Sequence, residues 1–96
     1  MSELFISRPL STEKIGVTAA SVASTVATSP SFVRVITDRN AHVRIGSDAS
    51  GATVDDMLIY AFHPVFFNIA SGESIKLIRK TGEVDGEAWI TLLSQG

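Results

Sequence analysis

Two β-branched runs separated by three residues constrain this chain more than any other feature. They are Val33-Arg34-Val35-Ile36-Thr37 and Ala41-His42-Val43-Arg44-Ile45, with Asp38-Arg39-Asn40 between them. Each run alternates apolar and polar positions, as a half-buried strand does. A three-residue connection reads as a β-hairpin built on a type I turn followed by a residue with positive φ, and Asn40 stands where that residue is needed. This loop pairs Val33 with Ile45, Val35 with Val43 and Thr37 with Ala41. Val33, Val35, Val43 and Ile45 then share one face, which enters a core. A two-residue loop would set Val35 against Arg44 and mix polar with apolar on both faces, so the three-residue register is expected. On the other face that register opposes Arg34 to Arg44 and Ile36 to His42. Like charges directly opposed cost stability. The pair therefore reads either as two solvated arginines splayed apart or as a surface that meets an acidic or carbonyl-rich partner.

The remaining chain supplies further short strands. Residues 15–29 are rich in Val, Thr, Ser and Ala and read as one strand or two short ones, ended by Ser29-Pro30. Met57-Leu58-Ile59-Tyr60-Ala61-Phe62 is a strand or an apolar crossing. Val65, Phe67 and Ile69 share a face, as do Ile75 and Leu77, and as do Ala88, Ile90 and Leu92. Turn residues separate these runs, and the spacing predicts about seven antiparallel strands. The expected fold is an all-β antiparallel β-sandwich, jelly-roll-like or immunoglobulin-like, with an extended N-terminal arm. Residues 1–14 form the arm and residues 15–96 the single sandwich domain. Leu4, Phe5 and Ile6 make the arm a candidate for docking on a neighbouring subunit.

The totals narrow the function. With 96 residues the chain makes one domain with a modest core. A hydrophobic fraction of 45% and a mean hydropathy of +0.27 are high for a small monomer, which points to an oligomer, with a trimer expected. Net charge is −2, so nucleic acid is not the expected partner. The N-terminus has no secretory pattern, and no stretch reaches the ~18 apolar residues of a membrane span. Cysteine is absent, which removes disulfides and thiolate chemistry.

Catalytic patterns are lacking. His42 lies within a strand and His63 precedes Pro64, with no third ligand at a metal spacing. Asp55 and Asp56 are adjacent, so on a strand they point apart and do not converge. No serine lies in a nucleophile-elbow context and no glycines have phosphate-loop spacing. No enzyme, metal or cofactor is expected. What stands out is apolar side chains on the outward positions of strands. Ile36, Phe66, Trp89 and Leu93 alternate with inward residues, and together with Arg34, His42 and Arg44 they form a candidate interface, where Trp, Phe and Arg are enriched.

The stretch from Phe32 to Leu93 resembles a group of small β-rich structural proteins of tailed bacteriophages. The resemblance rests on the Val33-Arg34-Val35 strand, Val43-Arg44-Ile45-Gly46, the small-polar loop 47–53, Val65-Phe66-Phe67-Asn68-Ile69, a Ser-Gly turn and the last strand. His63-Pro64 departs from it, where a Gly-containing turn is usual, and so does the long N-terminal segment. The resemblance implies a non-enzymatic virion protein made in the host cytoplasm, in the first place a capsid decoration (cement) protein on the capsid surface that binds the major capsid protein. A head–tail, neck or tail component is the alternative within that class. A carbohydrate-binding β-sandwich module is the alternative outside it.

Overall fold

Among the described residues, eight strands pair as one long hairpin that has been rolled up. The computed structural model describes residues 9–48 and 50–93. Leu4, Phe5 and Ile6 of the expected arm lie outside the described residues. The strands are β1 (Pro9–Val17), β2 (Val22–Ala23), β3 (Ser31–Thr37), β4 (Ala41–Gly46), β5 (Met57–Ile59), β6 (Val65–Ile69), β7 (Ser74–Arg79) and β8 (Gly86–Leu93). No helix occurs among the described residues. Antiparallel ladders join β1 to β8, β2 to β7, β3 to β6 and β4 to β5, and two more join β3 to β8 and β4 to β7. The result is two four-stranded sheets, sheet A in the order β1-β8-β3-β6 and sheet B in the order β2-β7-β4-β5. Only β4 and β5 are both consecutive and paired. That is the strand order of a jelly roll, the first of the two sandwiches expected, and not the consecutive pairing of an immunoglobulin domain.

Alternation sorts each strand into an inward and an outward row. Val33 and Val35 of β3 and Ala88 and Ile90 of β8 are buried from sheet A. Ala41 and Val43 of β4, Ile75 and Leu77 of β7 and Ile59 of β5 are buried from sheet B. These residues form one cluster with Ile15, Val17 and Ile69, flanked by the part-buried Ile45, Val65, Phe67 and Leu92. The sandwich is therefore filled by side chains from both inner faces.

Three expectations are corrected. First, β3 and β4 are not a hairpin. They lie in different sheets, and Asp38-Arg39-Asn40 carries the chain across the top of the core from one to the other. Val33 and Val35 thus meet Val43 and Ile45 through the core and not along a shared strand pair. Asn40 does not take a positive φ; among the described residues Phe62 is the non-glycine residue that does, at 62°. Second, β1 starts at Pro9, so residues 9–14 are a sandwich strand paired to β8 and not part of an arm. Third, the described residues hold eight strands where about seven are expected from the spacing, and the 15–29 stretch yields the end of β1 and the separate β2.

The corner is seated directly on β8. The Asp38 N–H donates to the Glu87 carbonyl at 3.0 Å, and the Asp38 carboxylate accepts from the Glu87 N–H at 2.7 Å. A Cβ on Gly86 would overlap the Asp38 carboxylate and Arg39 Cγ. Gly86→Ala should therefore lower stability by about 1–3 kcal/mol, the usual cost of forcing atoms into a filled space. Gly46→Ala is the comparison, since a Cβ there meets only Asp48 Oδ1 at 3.8 Å. Urea unfolding of both variants checks this. Equal effects would contradict the close seating of the corner.

Candidate functional site

The outer faces of the two sheets differ in what covers them. On sheet B, the outward positions of β4 and β7 include His42, Arg44, Lys76 and Ile78, with Arg44 opposite Lys76. The β4–β5 loop folds back over this face. His42 Nδ1 donates to the Asp56 carbonyl at 2.9 Å. Arg44 binds the Asp56 carboxylate with two bonds, Nε to Oδ2 at 3.1 Å and a terminal nitrogen to Oδ1 at 3.2 Å. Lys76, whose side chain is only 6% exposed, reaches the Asp48 carboxylate at 3.3 Å. Asp48 carries this ion pair and a bond from the Ser50 N–H, and both hold its carboxyl below the usual range. The loop is pinned again where the Ala52 N–H donates to Ser21 Oγ at 2.8 Å. Two adjacent like charges on one strand pair are thus each given an acid from the chain's own loop.

Sheet A is covered differently. Its outward positions read Phe32, Arg34 and Ile36 on β3, Phe66 and Asn68 on β6, Trp89, Thr91 and Leu93 on β8, and Thr12 and Lys14 on β1. The registers set Ile36 opposite Trp89 and Phe32 opposite Leu93. Arg34 sits in the middle, with Thr91 on one side and Phe66 on the other. Phe32 and Phe66 stack with ring centroids 5.8 Å apart. Arg34 Nε is buried by these neighbours and has no hydrogen-bond partner among the described residues. No loop among the described residues crosses this face with hydrogen bonds in the way the β4–β5 loop crosses sheet B.

The structure therefore brings together Arg34, Ile36, Phe66, Trp89 and Leu93 from the expected interface, and adds Phe32, which strand alternation places on the same row. It separates His42 and Arg44 from them. The expected Arg34–Arg44 opposition does not exist, because the two arginines lie on opposite outer faces of the sandwich. Lys14 and Glu87 flank the face as an exposed ion pair at 3.3 Å.

Two further features were not visible in the pattern of residues. At one end of the sandwich, Tyr60, Phe62 and His63 stand on the β5–β6 loop, with Phe62 68% exposed. The loop is held by its backbone: the Phe62 N–H donates to the Thr37 carbonyl at 2.7 Å and the Ala61 N–H to the Asn40 side chain at 2.9 Å. A bulky residue at positive φ is strained, and such strain persists only where surrounding bonds impose it. At the other end, a cleft of about 330 Å³ opens between the sheets beneath the β2–β3 loop. Val33, Ile75 and Leu92 line its floor and Glu13 its rim. The Glu13 carboxylate is already engaged by the Thr25 N–H at 3.0 Å and by the Thr25 hydroxyl at 3.1 Å. Among the described residues, no three histidine or carboxylate side chains are grouped to hold a metal ion.

Comparison with protein-family models, with curated proteins and with solved structures finds no match to this chain.

The Arg44–Asp56 pair generates a prediction opposite in sign to the one a like-charge pair would give. The Thr53 N–H, and next the Arg44 guanidinium, hold the Asp56 carboxyl below the usual carboxylate range. A group with a lowered folded-state pKa stabilises fully above its unfolded value near 3.9 and loses that contribution as pH falls through the lower folded value. Arg44→Ala and Asp56→Asn should both be less stable than the wild type at pH 7. The gap for Asp56→Asn should close as the pH is taken below about 4. Melting curves across that range check it; an Arg44→Ala variant as stable as the wild type at pH 7 would contradict the pairing.

Proposed function

We propose that this chain is a non-enzymatic structural protein of a virion, a capsid decoration protein that binds through the outer face of sheet A. The observation that carries the reading is the difference between the two outer faces. The face of sheet B is covered by the chain's own loop, and each cation there has its own acid. The face of sheet A presents Phe32, Ile36, Phe66, Trp89 and Leu93 around Arg34, a composition typical of an interface centre and not of a wet surface. The likeness of its motifs to small phage structural proteins and its jelly-roll strand order, a form that capsid domains use, agree with this reading. Fold alone does not assign function.

The mechanism is mechanical. A small rigid sandwich laid across a junction between capsid subunits adds buried area where the shell is under tension. A standard interface buries roughly 1,600 Å² in total, enough for stable attachment. The aromatic and aliphatic side chains supply the apolar contact. Arg34 supplies a fixed cation for a carboxylate or a backbone carbonyl of the major capsid protein. A place at the head–tail junction or in the tail would use the same face.

Tyr60 favours a second reading, a carbohydrate-binding module, because it is 57% exposed beside His63 at the loop tip. An exposed ring of this kind is what a sugar stacks on.

Cosedimentation with capsid particles assembled from a candidate major capsid protein tests the proposal. Wild-type protein should cosediment. Arg34→Ala should weaken binding by about 1.5–3 kcal/mol, the worth of a charged hydrogen bond, and Trp89→Ala by about 2 kcal/mol or more. Arg44→Ala, on the other sheet, should bind as the wild type does at a temperature where it is folded. Absence of cosedimentation, or equal losses for Arg34→Ala and Arg44→Ala, would overturn the assignment. Glycan binding abolished by Tyr60→Ala would support the carbohydrate reading instead.

A further inference from the structure

The two sheets have four edges, and three of them are guarded against pairing with another chain. β1 begins with Pro9, has a register shift between Pro9 and Ser11, and carries Glu13 and Lys14. β2 is two residues long and β5 three. These are the devices by which native sheets blunt their edges. β6 has none of them. Its five residues, Val65-Phe66-Phe67-Asn68-Ile69, include no charge and no proline, and they pair with β3 without a register shift. Among the described residues, the backbone–backbone bonds outside the strand ladders involve no group of residues 65–69. Among the described residues, no strand pairs with the far side of β6, which leaves a row of donors and acceptors there.

Exposed apolar side chains gather on the same side. Met57 on β5, Tyr60 and Phe62 on the loop and Phe66 on β6 are four of the eight exposed large hydrophobic residues among those described. Val65 and Phe67 point toward the core yet are only part-buried, and among the described residues no strand closes the sheet beyond them.

We propose that β6 pairs with β6 of a second copy of this chain, antiparallel across a two-fold axis, so that two four-stranded sheets become one of eight. Inward residues must face inward residues across the new ladder. The register that uses all five residues sets Phe67 opposite Phe67, Val65 opposite Ile69, and Phe66 opposite Asn68. Such a contact is isologous: what one copy offers, the other accepts. The strand fits itself, with β-branched residues at both ends and a shared aromatic at the centre. It has no charge with which to select a different partner. The two Phe67 rings close the open edge of both cores, and the Phe32–Phe66 stack of each copy borders the seam. A two-fold contact yields a dimer in place of the trimer expected from composition, and it leaves Trp89 and Arg34 free for another partner.

Light scattering of the full chain at micromolar concentration should give a dimer. Phe67→Lys, which places an inward charge on the edge, should give a monomer at the same concentration. That residue also touches the core, so a second test uses exposed positions. The chain has no cysteine, which allows Phe66→Cys and Asn68→Cys to be made separately and mixed. Directly opposed residues have Cα atoms about 4.5–5.5 Å apart, within disulfide reach, whereas pairs beyond about 7 Å are not. Mild oxidation should link the two variants to each other and should not link either variant to itself. Ser11→Cys, on the guarded edge, should not crosslink. A monomeric wild type, or any oligomer in which the mixed disulfide does not form, would overturn the proposal.

Discussion

The sandwich depends on the corner at Asp38-Arg39-Asn40, where the chain leaves sheet A for sheet B. Backbone groups at such a corner are cut off from both ladders and need partners of their own. They have them. Asp38 exchanges bonds with Glu87 through both its N–H and its carboxylate. The Asn40 carbonyl accepts from the Lys80 N–H at 3.0 Å, and its side chain accepts from the Ala61 N–H. Asp38 and Asn40 thereby tie the start of β8, the end of β7 and the β5–β6 loop to one point. The strained Phe62 is a by-product of this anchoring, since its N–H is held on the Thr37 carbonyl. Because the chain crosses here and does not turn back, β3 and β4 face each other through the core, and the two sheets close over Val35, Leu77 and Ile75.

With the cores turned inward, each sheet is left with an outer face, and the chain treats the two differently. The β4–β5 loop spends its acids on sheet B, pairing Asp56 with Arg44 and Asp48 with the buried Lys76. The outer face of sheet A keeps a mixed apolar row around Arg34. The unguarded β6 edge adjoins that row. One residue of the sheet, Phe66, belongs to both surfaces, so the self-association proposed along the edge and the docking proposed on the face would be neighbours in space without being the same contact.

Much of this was legible in the amino-acid pattern. Alternation assigned Val33, Val35, Val43, Ile75, Leu77, Ala88 and Ile90 to the core and Ile36, Phe66, Trp89 and Leu93 to the outside, and the structure agrees. A two-residue period reports the face of a strand, and burial enforces it. The same period says nothing about which strand lies alongside. Val33 and Val35 satisfy alternation equally well beside Val43 and Ile45 or facing them across a core. Three polar residues between two strands suit a hairpin and a sheet-to-sheet corner alike, so the register argument for Arg34 and Arg44 began from a pairing that does not occur. The Arg44–Asp56 contact spans 12 residues through an irregular loop and has no local signature. Pro9-Leu10-Ser11-Thr12-Glu13-Lys14 alternates weakly because most of this length of β1 is exposed at the edge, where burial imposes no pattern.

The central claim is that the outer face of sheet A is the surface a partner covers. The chain contains one tryptophan, Trp89, and it lies on that face. Its fluorescence therefore reports the claim without any substitution. Acrylamide quenching of the free protein should be ready, and binding to the capsid should shift the emission to shorter wavelength and suppress the quenching. Unchanged emission and unchanged quenching in protein that is demonstrably bound would contradict the account.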